Sequence, residues 1–135
     1  MPNQVIDAFK LSWKGGIFLI AGIGLDIVEL ERIAKLDARS SKFRMRILTE
    51  GELEIYEKHT SHRRIEFLAG RFASKEAFAK AKGTGIGTQC NFTDISILSE
   101  PSGKPSLFFK GIAVPGFISI THTRTVAAAQ VILLA

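Results

Sequence analysis

The chain has little cysteine and no long apolar run. Cys90 is the single cysteine among 135 residues, which excludes an intrachain disulfide framework and a metal cluster built on cysteines. This cysteine usage is typical of a reducing compartment, so we expect a cytoplasmic protein. No stretch of 18 apolar residues occurs, and we expect no membrane span. The apolar segment 15–28 is interrupted by Asp26 and lacks a small-residue cleavage site, which argues against an export signal.

Tryptophan and tyrosine are also scarce, with one of each, while the net charge is +5 and the pI about 9.6. The positive charge favours an acidic partner. Because no aromatic stacking platform accompanies the charges, we expect no nucleic acid partner. Basic residues concentrate between positions 32 and 46, with apolar side chains between them, as on a docking surface for an acidic protein or on a solvated helix face. They are Arg32, Lys35, Arg39, Lys42, Arg44 and Arg46.

A phosphate-binding P-loop is absent. The glycine-rich stretch GTGIG, 83–87, follows a predicted helix end instead of opening a helix, and GxxxxGK[S/T] does not occur. Gly83 therefore reads as a helix terminator. The other small residues in this stretch would still allow a ligand to approach the backbone.

The periodicity of apolar residues predicts one α+β domain with an antiparallel sheet. Gly22 and Gly24 indicate close backbone approach in the first strand. We assign residues 20–135 to the domain and 1–19 to an N-terminal extension without an assigned role. Predicted elements are a strand at 17–28, helices at 29–48 with a break near Ser40, a helix capped by Thr49 and Glu52, a turn at 61–64, a long helix at 64–82, and strands at 91–98, 106–109, 117–123 and 126–135.

Glu76 is a carboxylate on the predicted apolar face of the long helix. An ionised carboxylate among apolar groups is costly unless it is paired or bound to a metal. One interpretation is an ion pair with Lys80, four residues further along the helix. The apolar residues that share this face are Ile65, Leu68, Ala69, Phe72 and Ala79.

Asp26 is a second isolated carboxylate, the only charge between positions 17 and 28. Strand alternation places it on one side with Gly24 and Val28, opposite Ile23, Leu25 and Ile27. Two carboxylates, together with phosphate oxygens and water, suit Mg²⁺. A magnesium site formed by Asp26 and Glu76 is therefore one interpretation, which requires the strand and the helix to meet in the fold.

His122 is predicted to share a strand face with Ile118 and Ile120. It is either a core histidine bonded to a backbone carbonyl or a functional group that acts as a base or a phosphate donor.

Three segments resemble the signature blocks of bacterial holo-acyl-carrier-protein synthases, the small type of 4′-phosphopantetheinyl transferase. They are GIGLDIVELERI at 22–33, FLAGRFASKEAFAKAKGTGIG at 67–87 and ISITHTRTVAAAQVIL at 118–133. GKP at 103–105 fits as well, and the resemblance covers about residues 20–134. It implies a homotrimer of α+β subunits with active sites at subunit interfaces. It also implies transfer of phosphopantetheine from coenzyme A to a serine of apo acyl carrier protein, with Mg²⁺ and release of adenosine 3′,5′-bisphosphate.

The resemblance also implies roles for individual residues. Asp26 and Glu76 match the metal ligands, and with Lys80 and His122 they form the expected catalytic set. The expected coenzyme A contacts are Arg71, Lys75, Lys80, Gly83, Thr84, Gly85, His122 and Thr123. The expected carrier-protein contacts are Arg32, Leu36, Arg39, Phe43 and Arg46.

The general base that deprotonates the serine stays open between Glu76, His122 and a metal-bound water. The alternative function is a basic module without chemistry that binds nucleic acid or an acidic protein. That alternative function gives no role to the two carboxylates, Asp26 and Glu76, that lie in apolar elements.

Overall fold

The computed structural model describes residues 10–13 and 16–135, in which two antiparallel sheets pack around one long helix. The larger sheet has the strand order β1-β2-β7-β6 and the smaller one β3-β4-β5. This arrangement confirms the predicted α+β class. The strands are β1 Lys10–Trp13, β2 Gly16–Glu29, β3 Ile95–Ser99, β4 Pro105–Phe109, β5 Ile112–Ala113, β6 Gly116–His122 and β7 Val126–Leu134. The helices are α1 Leu30–Arg39, α2 Ser41–Ile47, α3 Glu50–Lys58, α4 Ser61–Lys82 and a short 3₁₀ helix, Phe92–Asp94.

Glycines in β2 set the distance between the larger sheet and α4. A Cβ atom on Gly24 would lie 1.8 Å from the carbonyl oxygen of Ala77, and one on Gly22 would lie 2.0 Å from that of Ala81. Only glycine allows the strand and helix backbones to approach so closely. The predicted close approach is confirmed, and it holds the last turns of α4 directly over β2.

The two faces of β2 differ sharply in exposure. Gly24 and Val28 are buried and Asp26 is half-buried, whereas Ile23, Leu25 and Ile27 are 61%, 62% and 66% exposed. The predicted alternation is confirmed. The expectation of a buried strand holds only for the face beneath α4, because no described element covers the other face.

Most predicted helix boundaries are confirmed by capping contacts. Thr49 and Glu52 form the capping box of α3, and Ser40 separates α1 from α2, its side chain accepting a hydrogen bond from the backbone of Lys42. Gly83 ends α4 in the left-handed region, at φ 86°. None of the helices among the described residues is long and apolar enough to cross a membrane.

Three expectations about local structure were wrong. Residues 61–64, predicted as a turn, form the first turn of α4. The strand predicted at 91–98 starts with the 3₁₀ helix and becomes extended only at Ile95. The predicted single apolar face of α4 is also incorrect, because the helix lies between the larger sheet on one side and α1, α3 and β3 on the other. It buries Lys75 and Ala77, while Ile65, Phe72 and Glu76 are only partly buried.

The predicted N-terminal extension, residues 1–19, is described only in part. Strand β1 pairs with Gly16–Leu19 of β2, and residues 1–9 and 14–15 lie outside the described residues. The boundary near residue 20 stays a prediction, and β2 runs across it without interruption.

Candidate active site

Asp26, Glu76 and Lys80 come together where the last turns of α4 lie over β2. The ammonium of Lys80 donates hydrogen bonds of 3.0 Å to Oδ1 of Asp26 and of 3.0 Å to the carbonyl oxygen of Leu25. The ion pair foreseen between Lys80 and Glu76 is replaced by this bond to Asp26. The carboxylate of Asp26 is 16% exposed, while Lys80 is 52% exposed. The cluster therefore opens to solvent on the side of the lysine.

The environment of Glu76 is unfavourable for a negative charge. Burial raises the pKa of its carboxyl above the ordinary value, and the nearby charge of Asp26 raises it further. Lys80 and Arg32 oppose this rise. Two carboxylates that repel each other beside a single solvent-facing ammonium form a place where an additional cation is stabilised.

This donor set fits Mg²⁺. Within the described part of the chain no three histidine, cysteine, aspartate or glutamate side chains cluster as metal ligands, so Asp26 and Glu76 would act as a pair. Magnesium is commonly held by one or two carboxylates, with waters and substrate phosphates filling its other positions. Cysteine and histidine, which favour zinc, are absent from the pair.

The basic surface borders this cluster. Arg32 and Arg39 of α1 and Arg46 of α2 are exposed, and Leu36 and Phe43 are half-buried between them. Arg32 lies close enough to Glu76 to act on its pKa. Arg44 does not belong to this surface, because its Nε atom donates to Asp37 at 2.7 Å and its guanidinium stacks on Tyr56.

A second basic group surrounds a cavity of about 140 Å³ between the start of α4 and the end of β6. Nδ1 of His122 lies 2.8 Å from Oε2 of Glu66. Arg71 and Arg63 line the same cavity. Arg71 is almost fully buried, and its Nε atom makes no hydrogen bond in the described structure but lies 4.0 Å from Oε2 of Glu52. Its guanidinium therefore lies between the interior carboxylate of Glu52 and the cavity.

The two groups do not converge within one chain. Glu66, the partner of His122, precedes Glu76 by ten positions on α4, or about 15 Å along the helix axis. In the larger sheet β7 separates the strands, since Asp26 pairs with Ala129 and His122 with Ala127. His122 therefore stands apart from the carboxylates of its own subunit, and its place in the expected catalytic set stays a prediction.

Lys75 lies in the interior and not in either basic group. Its side chain is 0% exposed, and Nζ donates to Oε1 of Glu52 at 2.6 Å and to the carbonyl oxygens of Ile47 and Phe92 at 2.6 and 3.0 Å. Burial lowers the pKa of Lys75, and Glu52 opposes that shift. With its three donors occupied, Lys75 has none left for a phosphate, so its predicted contact with coenzyme A was wrong. Its side chain faces α2, α3 and the 3₁₀ helix instead of the solvent.

The remaining predicted contacts lie at two chain reversals. Gly83, Thr84 and Gly85 follow the end of α4, on the same side as Lys80, with the backbone N–H of Gly85 bonded to the carbonyl of Ala79. Thr123 follows β6, and its hydroxyl accepts hydrogen bonds from the backbone of Thr125 and Val126. Thr123 therefore shapes the turn next to His122.

Sequence reasoning missed Glu66, Arg63 and Glu52 as groups that organise the basic cavity and its surroundings. Glu66 and Arg63 were overlooked because 61–64 was predicted to be a turn. Their spacing of three residues is itself a helical ion-pair signal. Glu52 was identified only as a capping residue, although it also accepts hydrogen bonds from Lys75 and from the backbone of Ile97.

Known proteins resemble this chain in sequence and in fold. The family model described as the 4′-phosphopantetheinyl transferase superfamily matches residues 22–132. A holo-acyl-carrier-protein synthase of Bacillus subtilis is 51% identical over 116 residues, covering 85% of this chain and 96% of that protein. A crystal structure of a holo-acyl-carrier-protein synthase from Bacillus anthracis in complex with coenzyme A (3′,5′-ADP) is 44% identical. It has a TM-score of 0.77 and coverage of 86% of this chain and 97% of that one.

The synthase from Helicobacter pylori, solved in complex with coenzyme A, is 31% identical with a TM-score of 0.72, over 84% of this chain and 99% of that chain. Both structures share the fold described above, and the family model covers most of the chain. The chain belongs to the 4′-phosphopantetheinyl transferase superfamily, within its holo-acyl-carrier-protein synthase members.

Proposed function

We propose that the protein transfers the 4′-phosphopantetheine group of coenzyme A to a serine of apo acyl carrier protein, releasing adenosine 3′,5′-bisphosphate. The observation that carries this proposal is the pair of carboxylates, Asp26 and Glu76, held beside Lys80 at the border of an exposed basic helix. Curated relatives named as holo-acyl-carrier-protein synthases and a related structure with coenzyme A support the same reaction.

Asp26 and Glu76 are the residues that would hold Mg²⁺. Such an ion would supply positive charge that stabilises the negative charge developing on the diphosphate of coenzyme A during transfer. The exposed ammonium of Lys80 offers a second positive charge to the same phosphates, and its short bond to Asp26 keeps it oriented. The serine nucleophile comes from the carrier protein, so this chain does not have to provide one.

The basic cavity would bind a phosphate of coenzyme A. Arg71 supplies a positive charge, and His122 and Arg63 line the cavity with it. Because this cavity is remote from the carboxylates of the same subunit, we propose that a complete active site combines the carboxylate cluster of one subunit with the basic cavity of another.

A homotrimer would meet this requirement. The uncovered face of β2 presents Ile23, Leu25 and Ile27, and Phe117 of β6 is 54% exposed on the same sheet. Leu25 pairs with Gln130 of β7, which is exposed as well. An apolar sheet face of this kind is costly in water and favours association. We propose that three copies bury these faces against one another.

The exposed residues of α1 and α2 would bind the carrier protein. Arg32, Arg39 and Arg46 supply positive charge for an acidic partner, and Leu36 and Phe43 supply contact area. Since Arg32 also lies near Glu76, a carrier protein docked here would place its serine next to the carboxylate cluster.

We propose that the reaction takes place in the cytoplasm.

The direct test is incubation of the protein with apo carrier protein, coenzyme A and Mg²⁺, followed by intact mass measurement. We expect the carrier protein to gain the mass of one phosphopantetheinyl group. Neither a carrier protein with its acceptor serine replaced by alanine nor a reaction with chelator should show the gain. Carrier protein that binds but keeps its mass would overturn the transferase proposal and leave a non-catalytic basic module.

A further inference from the structure

Asp37 is a buried carboxylate that the proposed transfer does not use. It lies near the end of α1 and is 5% exposed. Its Oδ1 atom accepts a hydrogen bond of 2.7 Å from Nε of Arg44 in α2, and its Oδ2 atom accepts one of 2.6 Å from the hydroxyl of Tyr56 in α3. The backbone carbonyl of Asp37 accepts a further bond, of 3.3 Å, from Arg44. Asp37 therefore joins α1 both to α2 and to α3.

The ring of Tyr56 extends these contacts to α4. Burial raises the pKa of the Tyr56 hydroxyl, and its bond to Asp37 raises it further, so the hydroxyl keeps its proton and donates. The guanidinium carbons of Arg44 and Arg64 lie 5.1 and 5.2 Å from the ring centroid, within the range of a cation–π contact. Nε of Arg64 in turn donates to the carbonyl oxygen of His59 at 2.6 Å. The Asp37 network, made up of Asp37, Arg44, Tyr56 and Arg64, therefore reaches four helices.

Helix α2 is short and depends on such contacts for its orientation. It has seven residues, and a helix of this length is marginal in water on its own. Ile47 is buried and Phe43 is half-buried, but the burial of apolar groups is non-directional. The hydrogen bonds from Arg44 to Asp37 are directional and cross the break between α1 and α2. They therefore define how α2 is turned relative to α1.

The orientation of α2 matters because both helices carry the exposed basic surface. Arg39 lies two residues after Asp37 on α1, and Arg46 lies two residues after Arg44 on α2. We propose that Asp37 is a positioning residue whose hydrogen bonds hold α2 against α1, so that Arg39 and Arg46 present their charges to one acidic carrier protein. This inference rests on the proposed function, because it takes that carrier protein as the partner. Asp37 acts through α2 and is too deeply buried to touch the partner itself.

A purely structural role would have a different signature. The Asp37 network would then only stabilise the folded chain, and its loss would lower the Tm without changing carrier-protein affinity at temperatures well below the Tm. Two variants of equal charge separate the roles. Asp37→Asn has the size of the carboxylate and an oxygen that can accept from Arg44, whereas Asp37→Ala has no acceptor. Both variants remove one negative charge near the basic surface, so a difference in affinity between them reports the hydrogen bonds.

Two measurements on the full-length protein test the proposal without turnover. The first is the dissociation constant of apo carrier protein, measured by calorimetry in the absence of coenzyme A, and the second is amide hydrogen exchange in α2. We expect Asp37→Ala to bind carrier protein about fivefold more weakly than Asp37→Asn, which is the size of one exposed ion pair. We expect the α2 amides of Asp37→Ala to exchange faster than those of Asp37→Asn. The dissociation constant of coenzyme A should stay within about twofold of the wild-type value in both variants, because its site is separate from the network.

Background and control variants complete the test. On an Arg46→Ala background the two Asp37 variants should differ by less than about twofold in carrier-protein affinity, because the charge that Asp37 positions is gone. Ser74→Ala removes a hydrogen bond of 2.6 Å from a buried hydroxyl to the carbonyl oxygen of Gly70 within α4, so it should lower the Tm and leave carrier-protein affinity unchanged. Equal affinities of Asp37→Ala and Asp37→Asn, the same fivefold difference on the Arg46→Ala background, or a matching loss in Ser74→Ala would each overturn the proposal.

The outcomes also distinguish this proposal from the proposed function. If the wild type binds carrier protein but does not modify it, the transferase proposal fails while the role of Asp37 is still decided by the affinities. If transfer is confirmed and Asp37→Ala binds carrier protein as tightly as Asp37→Asn, only the positioning role fails. A wild type that binds no carrier protein at all overturns both.

Discussion

Asp26 and Lys80 form a hydrogen-bonded ion pair, with Nζ of the lysine 3.0 Å from Oδ1 of the aspartate. The lysine is half exposed and the aspartate is mostly covered. Glu76 stands next to this pair without such a bond, and its pKa is raised by burial and by the charge of Asp26. The ammonium of Lys80 is bonded to Asp26, while Glu76 is opposed only by the more distant charges of Lys80 and Arg32, so Glu76 is the carboxylate whose charge is least compensated.

Asp26→Asn should abolish transfer without unfolding the protein. The amide of asparagine has the size of the carboxylate and can still accept a hydrogen bond from Lys80. It lacks the negative charge that would attract Mg²⁺. We expect kcat to fall at least about a hundredfold. Mass measurement of the carrier protein gives the rate, and circular dichroism checks the fold. Wild-type-like activity in this variant would contradict the metal role of Asp26.

Glu76→Gln should stabilise the protein at neutral pH when Mg²⁺ is absent. The folded-state pKa of Glu76 lies above its ordinary value of 4.5, so folding favours the neutral acid. That contribution is present below the ordinary pKa and is lost as the pH rises through the folded-state pKa. The variant, which is neutral at every pH, should therefore have a higher Tm than the wild type near pH 7, and the gap should close near pH 4.

Addition of Mg²⁺ gives the matching control for Glu76. An ion that binds only the folded protein raises its stability by mass action. We expect the Tm of the wild type to rise with millimolar Mg²⁺ and that of Glu76→Gln to rise much less. Equal rises in both proteins would show that Glu76 does not hold the ion.

The sequence identified the two isolated carboxylates but not their surroundings. Alternation along β2 is a local property, so the face that carries Asp26 could be derived from a short segment. The burial of Lys75 depends on a second layer, α3 and β3, that packs on the far side of α4. Such long-range packing is not encoded in the period of a single helix.

The same limit explains His122. Its strand and face were predicted from alternation, but its separation from Asp26 follows from strand order. The sequence does not reveal that β7 lies between β2 and β6. Nor does it reveal that the start of α4 lies near β6 while its end lies near β2. Arg44 was counted among the exposed basic residues for a similar reason, since its partner Asp37 is seven residues away and meets it only across the break between α1 and α2.

Gly24→Ala should separate β2 from α4. The new Cβ would lie 1.8 Å from the carbonyl oxygen of Ala77, and a backbone atom cannot move aside as a side chain does. We expect a loss of about 3 kcal/mol in the free energy of unfolding and lower activity in the protein that remains folded. Gly87→Ala is the control, because a Cβ there meets nothing within 4 Å. Denaturant unfolding of both variants measures the difference.

Lys75→Met should cost stability and leave coenzyme A binding intact. The substitution leaves the fully buried carboxylate of Glu52 without its lysine partner. That carboxylate also accepts a hydrogen bond from the backbone N–H of Ile97. Breaking a buried pair on one side costs about 3–5 kcal/mol. The double variant Lys75→Met/Glu52→Gln should recover part of this loss, because the unpaired carboxylate is gone. The recovery should be incomplete, because Arg71 then loses the acid that lies 4.0 Å from its Nε atom. A folded Lys75→Met protein with a greatly raised dissociation constant for coenzyme A would restore Lys75 as a ligand contact.

Arg39→Glu should weaken carrier-protein binding selectively. Arg39 is exposed at the end of α1, away from the carboxylate cluster, whereas Arg32 acts on the pKa of Glu76 and would mix the two effects. Placing like charges opposite each other in an interface is costly. We expect the KM for apo carrier protein to rise about tenfold and the KM for coenzyme A to change less than about twofold.

Salt dependence and a matched charge reversal make this last prediction specific. Screening weakens exposed charge pairs, so added salt should raise the KM of the wild type for carrier protein. The difference between this KM and that of Arg39→Glu should become smaller. Lys58→Glu makes the same change of charge at the exposed end of α3 and should leave both KM values close to those of the wild type. If Lys58→Glu weakens carrier-protein binding as much as Arg39→Glu does, the net charge of the protein attracts the partner and α1 is not its docking surface.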